Sequence, residues 1–169
     1  LKQIISQEEI VNSLANVIKD NNIPHLLFFG PSGCGKTSTI LALARELFGE
    51  ENFEDRVIEL NASDERGIKV VRDKIKTYAK TSITNNKKIP PWKIIVLDEA
   101  DNMTSDSQFA LRKIMEDYSK ITRFCIICNY HHKIIDPIIS RCSMFRFRPI
   151  PTDKILERLK FICSTEKMY

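Results

Sequence analysis

Gly30-Pro31-Ser32-Gly33-Cys34-Gly35-Lys36-Thr37 narrows the folds open to this chain more than any other stretch. It satisfies G-x-x-x-x-G-K-[ST], and its flanks are the ones that pattern needs: the apolar run 26–29 before it and a helix-period stretch over 36–48 after it. Glycines let the backbone turn its N–H groups inward, and the helix that follows aims the positive end of its dipole at the same point, which makes a cradle for phosphate. In such a loop Lys36 reaches the β and γ phosphates and Thr37 offers its hydroxyl to Mg²⁺. The nucleotide is expected to be held by Gly30, Pro31, Ser32, Gly33, Cys34, Gly35, Lys36, Thr37 and Ser38, largely through backbone atoms. The Cys34 thiol is expected to be incidental. A Gly-rich turn that fits the pattern by chance would lack the strand, the helix and the downstream acid.

The rest of the chain repeats the strand–helix alternation. Helices are predicted over 8–18, 36–48, 67–79, 104–118, 134–140 and 153–163, and strands over 26–29, 57–60, 93–97, 123–128 and 144–147. Asn21-Asn22-Ile23-Pro24 breaks the first helix, and Thr104 or Ser105 is the predicted N-cap of the helix after them. The run 93–97 is almost continuously aliphatic, the mark of a strand covered on both faces. Together these units predict an α/β fold, a doubly wound parallel sheet of five strands flanked by helices. Residues 1–150 form the predicted main domain. After Pro149-Ile150-Pro151 the period turns helical again, so 151–169 is read as the truncated start of a helical second domain.

Asp98-Glu99 closes the third strand, where a nucleoside triphosphatase places the acids that complete its site. Asp98 would hold Mg²⁺, together with Thr37, and Glu99 would orient or deprotonate the attacking water. Two carboxylates capping the next helix are the structural alternative. Ala100 and Asp101 are expected only to begin the connection to that helix. The letters D-E-A-D over 98–101 also name a class of helicases, but Lys36 and Asp98 are 62 residues apart, a shorter interval than in that class. The next strand delivers Cys125-Ile126-Ile127-Cys128-Asn129-Tyr130 rather than the helicase Ser-Ala-Thr, and no second domain of that type has room.

Five stretches carry a resemblance: Gly30 to Thr37, Glu59-Leu60-Asn61-Ala62-Ser63-Asp64-Glu65-Arg66-Gly67-Ile68, Asp98 to Asp101, Arg123-Phe124 with the run to Tyr130 just quoted, and Ser140-Arg141-Cys142. They resemble the small subunits of replication factor C, the clamp loaders among the AAA+ ATPases. The resemblance implies that Asn129 is the sensor residue that binds the attacking water or the γ phosphate, whereas the residues alone read equally as an Asn opening a loop. It implies that Arg141 is an arginine finger acting in trans, in the ATP site of a neighbouring subunit; alone, the residue could as well form a local ion pair. It further implies ATP and Mg²⁺ as cofactors and ATP hydrolysis as the activity. The implied partners are the other subunits of a hetero-pentamer, a sliding clamp and primer-template DNA, at work in the nucleus. A second possibility is a switch subunit that binds nucleotide structurally and contributes chiefly its arginine. The family's Glu-Lys-Tyr-Arg-Pro segment would precede Leu1, leaving Ile4 and Ile5 as candidate base contacts, and its lid would continue past Tyr169. Ser32 and Cys34 stand where the family more often has Pro and Thr. A fragment without its lid and its neighbour's arginine is expected to turn over ATP slowly.

Charge is distributed unevenly. The net charge is only +4, yet eight basic residues stand against one acid between Lys69 and Lys93. Lys69, Arg72, Lys76 and Lys80 recur at helical spacing, beside an apolar face of Ile68, Val71, Ile75 and Ala79. A solvated charged face is the ordinary meaning of such a stripe. The resemblance adds contacts to a DNA backbone, for which Arg66, Lys69 and Arg72 are the candidates. Five cysteines without a secreted-scaffold context suggest reduced thiols, no run is long enough for a membrane span, and the start at Leu1 without a signal pattern suggests an excised piece. Cys125 and Cys128 form C-x-x-C, but residues three apart on a strand face opposite sides, so core packing is expected rather than zinc. His131 and His132 are assigned no role.

Overall fold

A computed structural model describes residues 7–19, 23–62, 68–81 and 89–166, with the backbone alone over 68–71. Its elements are α1 (Glu8–Lys19), β1 (His25–Phe29), α2 (Lys36–Phe48), α3 (Glu50–Arg56), β2 (Val57–Asn61), α4 (Ile68–Lys80), β3 (Lys93–Asp98), α5 (Ser105–Asp117), β4 (Thr122–Cys128), α6 (Asp136–Ile139), β5 (Cys142–Arg146) and α7 (Thr152–Thr165). The five strands form one sheet in the order β2-β3-β4-β1-β5, and every pair is parallel. The chain leaves β1 for the far edge and builds inward through β2 and β3 until β4 lies against β1. It then passes over β1 to add β5. All strands therefore end on the same edge of the sheet, the edge at which open α/β sheets bind ligands.

Strand alternation divides the core into two layers. Leu26, Phe28, Ile94, Val96, Cys125 and Ile127 face α1 and α2, where Leu14, Ile40, Leu43 and Phe48 complete one cluster. Leu27, Ile95, Leu97, Phe124, Ile126 and Cys128 face the other way, onto Ile75, Leu111, Ile114, Met115 and Ile138. Each such aliphatic contributes roughly 1.5–3 kcal/mol on burial. Cys125 and Cys128 fall in different clusters, as their spacing predicts, and no group among the described residues could hold a metal through His, Cys or acidic side chains alone. Nor is any described helix long and apolar enough to cross a membrane.

Several local expectations change. Helix α3 was not expected, because EENFEDR has no apolar stripe. Gly49 at φ 72° ends α2 by donating its N–H to Arg45 O, and α3 restarts at once. It delivers Arg56 into the interior, where Nη1 donates to Pro90 O at 3.0 Å and Trp92 O at 3.3 Å. Strand β5 lies two residues earlier at its start than its apolar letters suggest, since pairing with β1 sets its limits and its edge position leaves alternate residues exposed. The helix expected over 134–140 is a 3₁₀ turn at His131–Lys133 followed by the four-residue α6. Thr104 is the N-cap of α5, its hydroxyl accepting from Ser107 N at 3.3 Å.

His25, at the start of β1, is used as a neutral acceptor. Its Nδ1 accepts from Phe124 N at 3.1 Å, and its ring meets the Phe124 ring edge-on at 5.5 Å. Burial, with the Arg123 charge added, lowers its pKa from 6.5 to about 4. Between those values the unfolded chain binds a proton that the folded chain refuses, so the contribution of His25 is complete above pH 6.5 and is lost as pH falls toward 4. Urea midpoints over pH 4 to 7 are expected to fall less steeply for His25→Asn, which keeps an acceptor and cannot titrate.

Candidate nucleotide site

The site is assembled where β1, β3 and β4 end. Register puts Phe29 opposite Cys128 and Leu97 opposite Ile126, so strand pairing brings the loop after β1, the acids after β3 and Asn129 after β4 together. A cavity of about 260 Å³ opens among them, lined by Ser32, Gly33, Gly35, Lys36, Thr37 and Ser38 of the loop and by Asp98, Glu99, Cys128 and Asn129. Gly30, Pro31 and Ser32 border a wider cleft of about 780 Å³ next to it. His131 and His132 lie on that cleft, and His131 stacks at a tilt on Phe29, 4.6 Å between centroids.

Lys36 is only 7 % exposed and has no carboxylate partner among the described residues. Its Nζ donates to Gly30 O at 2.7 Å, Pro31 O at 2.8 Å and Asn129 Oδ1 at 3.0 Å. A buried ammonium fed only by neutral dipoles is incompletely compensated, and a phosphate would supply the missing charge. Thr37 Oγ1 donates to Asp98 Oδ2 at 2.7 Å, while Asp98 Oδ1 accepts from Glu99 N at 2.7 Å. A hydroxyl and a carboxylate at that separation are hard oxygen donors of the kind Mg²⁺ takes together with phosphate and water, so the residues fit the ion. Glu99 itself is at φ 52°, the one non-glycine residue in the left-handed region among the described residues. Strain of that kind persists where the surroundings over-determine it, as at many functional sites.

The Cys34 thiol donates to Pro31 O at 2.8 Å and packs in the core, lining neither cavity. Arg141 stands apart from the cavity, its guanidinium on Glu116 and on Pro137 O. Of the candidates for a nucleic-acid surface, Arg66 and the Lys69 side chain lie outside the described residues. Arg72 is partly exposed and forms a loose ion pair with Asp73, Nε to Oδ1 3.9 Å. Ile4 and Ile5 also lie outside.

Three residues have roles that the sequence reading missed. Asp101 does more than begin a connection: its Oδ2 accepts from Tyr130 N at 3.3 Å, fastening the turn after β3 to the loop that starts with Asn129. Asn102 donates through Nδ2 to Glu99 Oε2 at 3.3 Å. Its three-residue offset from Glu99 was a readable sign of one turn. Gln7, 4 % exposed, bonds Arg148 O at 2.8 Å and Cys34 O at 3.4 Å, tying the entry to α1 to the phosphate loop and to the exit of β5. Nothing local to Gln7 marks those partners, one of them 141 residues away.

Residues 26–150 match the family model "ATPase family associated with various cellular activities (AAA)". The chain belongs to this family. Within it, the sequence is 55% identical over 169 residues to "Replication factor C subunit 2" of Schizosaccharomyces pombe, covering 98% of this chain and 50% of that protein. It is 56% identical over 171 residues to human "Replication factor C subunit 4", covering 98% and 47%. An archaeal "Replication factor C small subunit" from Staphylothermus marinus is 52% identical, covering 99% and 50%. The AAA domain is thus similar in sequence to replication factor C small subunits, and the chain spans about half the length of the relatives it matches. Similar identities to subunits numbered 2 and 4 leave the position in an assembly open. Among solved structures, the Aeropyrum pernix ORC1 protein in complex with DNA superposes with a TM-score of 0.74 at 18% identity, over 95% of this chain and 50% of that one. Thermotoga maritima RuvB does so with 0.70 at 15%, over 96% and 52%. These two share the fold.

A side chain at Gly30 would meet the backbone of β5's exit: a Cβ there lies 2.3 Å from Phe147 O, and φ is 147°. At Gly33, φ is 72° and the space is open. Gly33→Ala is expected to lose about 1 kcal/mol from the left-handed conformation alone, and Gly30→Ala to lose about 2–3 kcal/mol because backbone must also move. Urea denaturation of the two variants checks the order.

Proposed function

We propose that this AAA domain binds and hydrolyses ATP as part of a clamp-loader small subunit, which in its assembly places a sliding clamp on primer-template DNA in the nucleus. The observation that carries the reading is the convergence of Lys36, Thr37, Asp98, Glu99 and Asn129 on one cavity at the strand ends. Relatives at 50–56% identity, themselves replication factor C subunits, support the assembly. In this reading residues 1–150 are the ATPase domain, 151–169 begin the helical lid, and the other subunits of a hetero-pentamer complete the machine.

Each residue then has a task. Backbone N–H groups of the loop, from Ser32 to Ser38, surround the phosphates with Gly30 and Pro31 shaping the turn, and Lys36 exchanges its carbonyl partners for phosphate oxygens. Thr37 and Asp98 hold Mg²⁺, which supplies positive charge against the phosphates when bound. Glu99 accepts the hydrogen bond of the attacking water and aligns it. Asn129, already on Lys36, donates its amide N–H toward the γ phosphate or that water without adding charge. Arg141 acts on a neighbour's site, where a guanidinium offsets charge that develops on the γ phosphate, and so makes hydrolysis depend on assembly. Arg66, Lys69 and Arg72 contact the DNA backbone. The ion pair of Arg72 with Asp73 is weak enough to give way, since exposed pairs contribute about 0–1 kcal/mol.

ATP turnover by this chain alone is expected to be slow, and to rise on addition of its partner subunits by up to about 10³-fold, the lower end of an arginine finger's effect. Brisk turnover by the chain alone would overturn the dependence on assembly. A switch subunit that only donates its arginine makes a different forecast for clamp loading by the full complex. If Glu99→Gln and Arg141→Ala both lower loading, the chain hydrolyses ATP as proposed; if only the arginine change matters, the switch reading replaces it.

A further inference from the structure

Arg141 is held by more of this chain than a mobile finger needs. Its backbone N donates to Ile138 O at 3.0 Å, fixing it between the end of α6 and the first residue of β5. Its Nη1 donates to Pro137 O at 2.6 Å and its Nη2 to Glu116 Oε1. Glu116 lies in the last turn of α5 and is itself braced by Arg112 one turn earlier, Nε to Oε1 3.0 Å. The guanidinium of Arg141 is thus clamped between the last turn of one helix and a carbonyl of another, while its side chain stays 34 % exposed.

Stability does not account for the clamp, because exposed ion pairs contribute about 0–1 kcal/mol. Orientation does. A free arginine carries about 2 kcal/mol of rotamer entropy that it must lose to place its fork on a phosphate. A guanidinium has five N–H donors, and the clamp uses one on each terminal nitrogen, which leaves three for an outside anion. Arg112, Glu116 and Arg141 together retain one positive charge, so Glu116 does not cancel the attraction to phosphate. The hydrogen bond from Arg112, with both arginine charges added, keeps the Glu116 carboxyl below its ordinary range and so ionised at neutral pH.

We infer that Glu116 is a positioning residue for Arg141: it sets the guanidinium in advance for a neighbouring subunit's ATP without touching that nucleotide itself. The inference rests on the reading of Arg141 as a finger in trans.

The test uses the full-length chain assembled with its partner subunits, comparing Glu116→Ala, Glu116→Gln and Arg141→Ala. Glu116→Ala is expected to lower kcat for ATP by about tenfold or more, the scale of a misplaced catalytic group. KM should stay within about twofold, as binding does not depend on the finger's final placement. Glu116→Gln keeps an acceptor for Arg141 and should recover about half or more of the lost rate on a logarithmic scale. Nucleotide affinity of this chain's own site and assembly by size-exclusion chromatography should not change. A kcat for Glu116→Ala equal to or above that of the wild type, a loss that appears in KM instead, or no recovery with Gln would each overturn the inference, provided Arg141→Ala still abolishes stimulated turnover. If Arg141→Ala leaves turnover intact, the finger itself is misassigned, and the inference falls with it for that separate reason.

Discussion

The parallel pairing of β1 between β4 and β5 is the constraint on which the rest depends. Because β4 runs beside β1 in the same direction, Phe29 and Cys128 end level with one another, and the next residues of both strands are delivered to one place. β3 stands one strand further along and ends at Asp98. Lys36, Asp98 and Asn129 are far apart in the chain, and strand register brings them within reach of the hydrogen bonds from Lys36 to Asn129 and from Thr37 to Asp98. Two apolar layers hold the register, and a slip by one residue would exchange the faces of Leu26, Phe28, Cys125 and Ile127 with those of Leu27, Phe124, Ile126 and Cys128. The precision of the polar site is therefore maintained by hydrophobic burial some residues away.

What that frame delivers is an electrostatic imbalance. Lys36 is buried on carbonyl oxygens and an amide, while Asp98 of the same cavity is occupied by the Thr37 hydroxyl and the Glu99 N–H. If Asp98 paired with Lys36 directly, the loop would be neutral and a phosphate would have to break an ion pair to enter. Keeping the two apart leaves a cation for the phosphate and a carboxylate for a metal, each satisfied by neutral partners that exchange at small cost. Asn129 suits its place for the same reason: an Asp there would neutralise Lys36.

Much of this was legible in the letters. The phosphate loop and the strands beside it follow from runs whose local pattern and tertiary role agree, and the continuous aliphatics of 93–97 mark a strand covered on both faces, as β3 is. Where the two disagree the reading fails. α3 has no apolar stripe and was missed, and β5 takes its limits from β1 rather than from its own residues, so its start was placed two residues late. The site divides in the same way. Lys36, Thr37 and Asp98 belong to short patterns with a known mechanical purpose, while Gln7 and Glu116 act through partners 141 and 25 residues distant, which no spacing announces. Arg141 needed a resemblance to be noticed at all, because a single arginine between a helix and a strand has an ordinary explanation.

The turn after β3 both supplies the acids and braces them. Asp98 and Glu99 line the cavity, but Asp101 and Asn102 beyond Ala100 connect: Asp101 takes the N–H of Tyr130, and Asn102 donates to the carboxylate of Glu99. A carboxylate held by an amide at 3.3 Å is oriented without being neutralised, so Glu99 remains able to accept a proton-bearing ligand. The bond from Tyr130 has the complementary effect, because it ties the position of Asn129 to that of the β3 turn across the gap between strands. Movement of either loop would be felt by both the acid and the amide. Four letters shared with another class of enzyme thus serve here as a brace between two strand ends, and their meaning lies in the partners they reach.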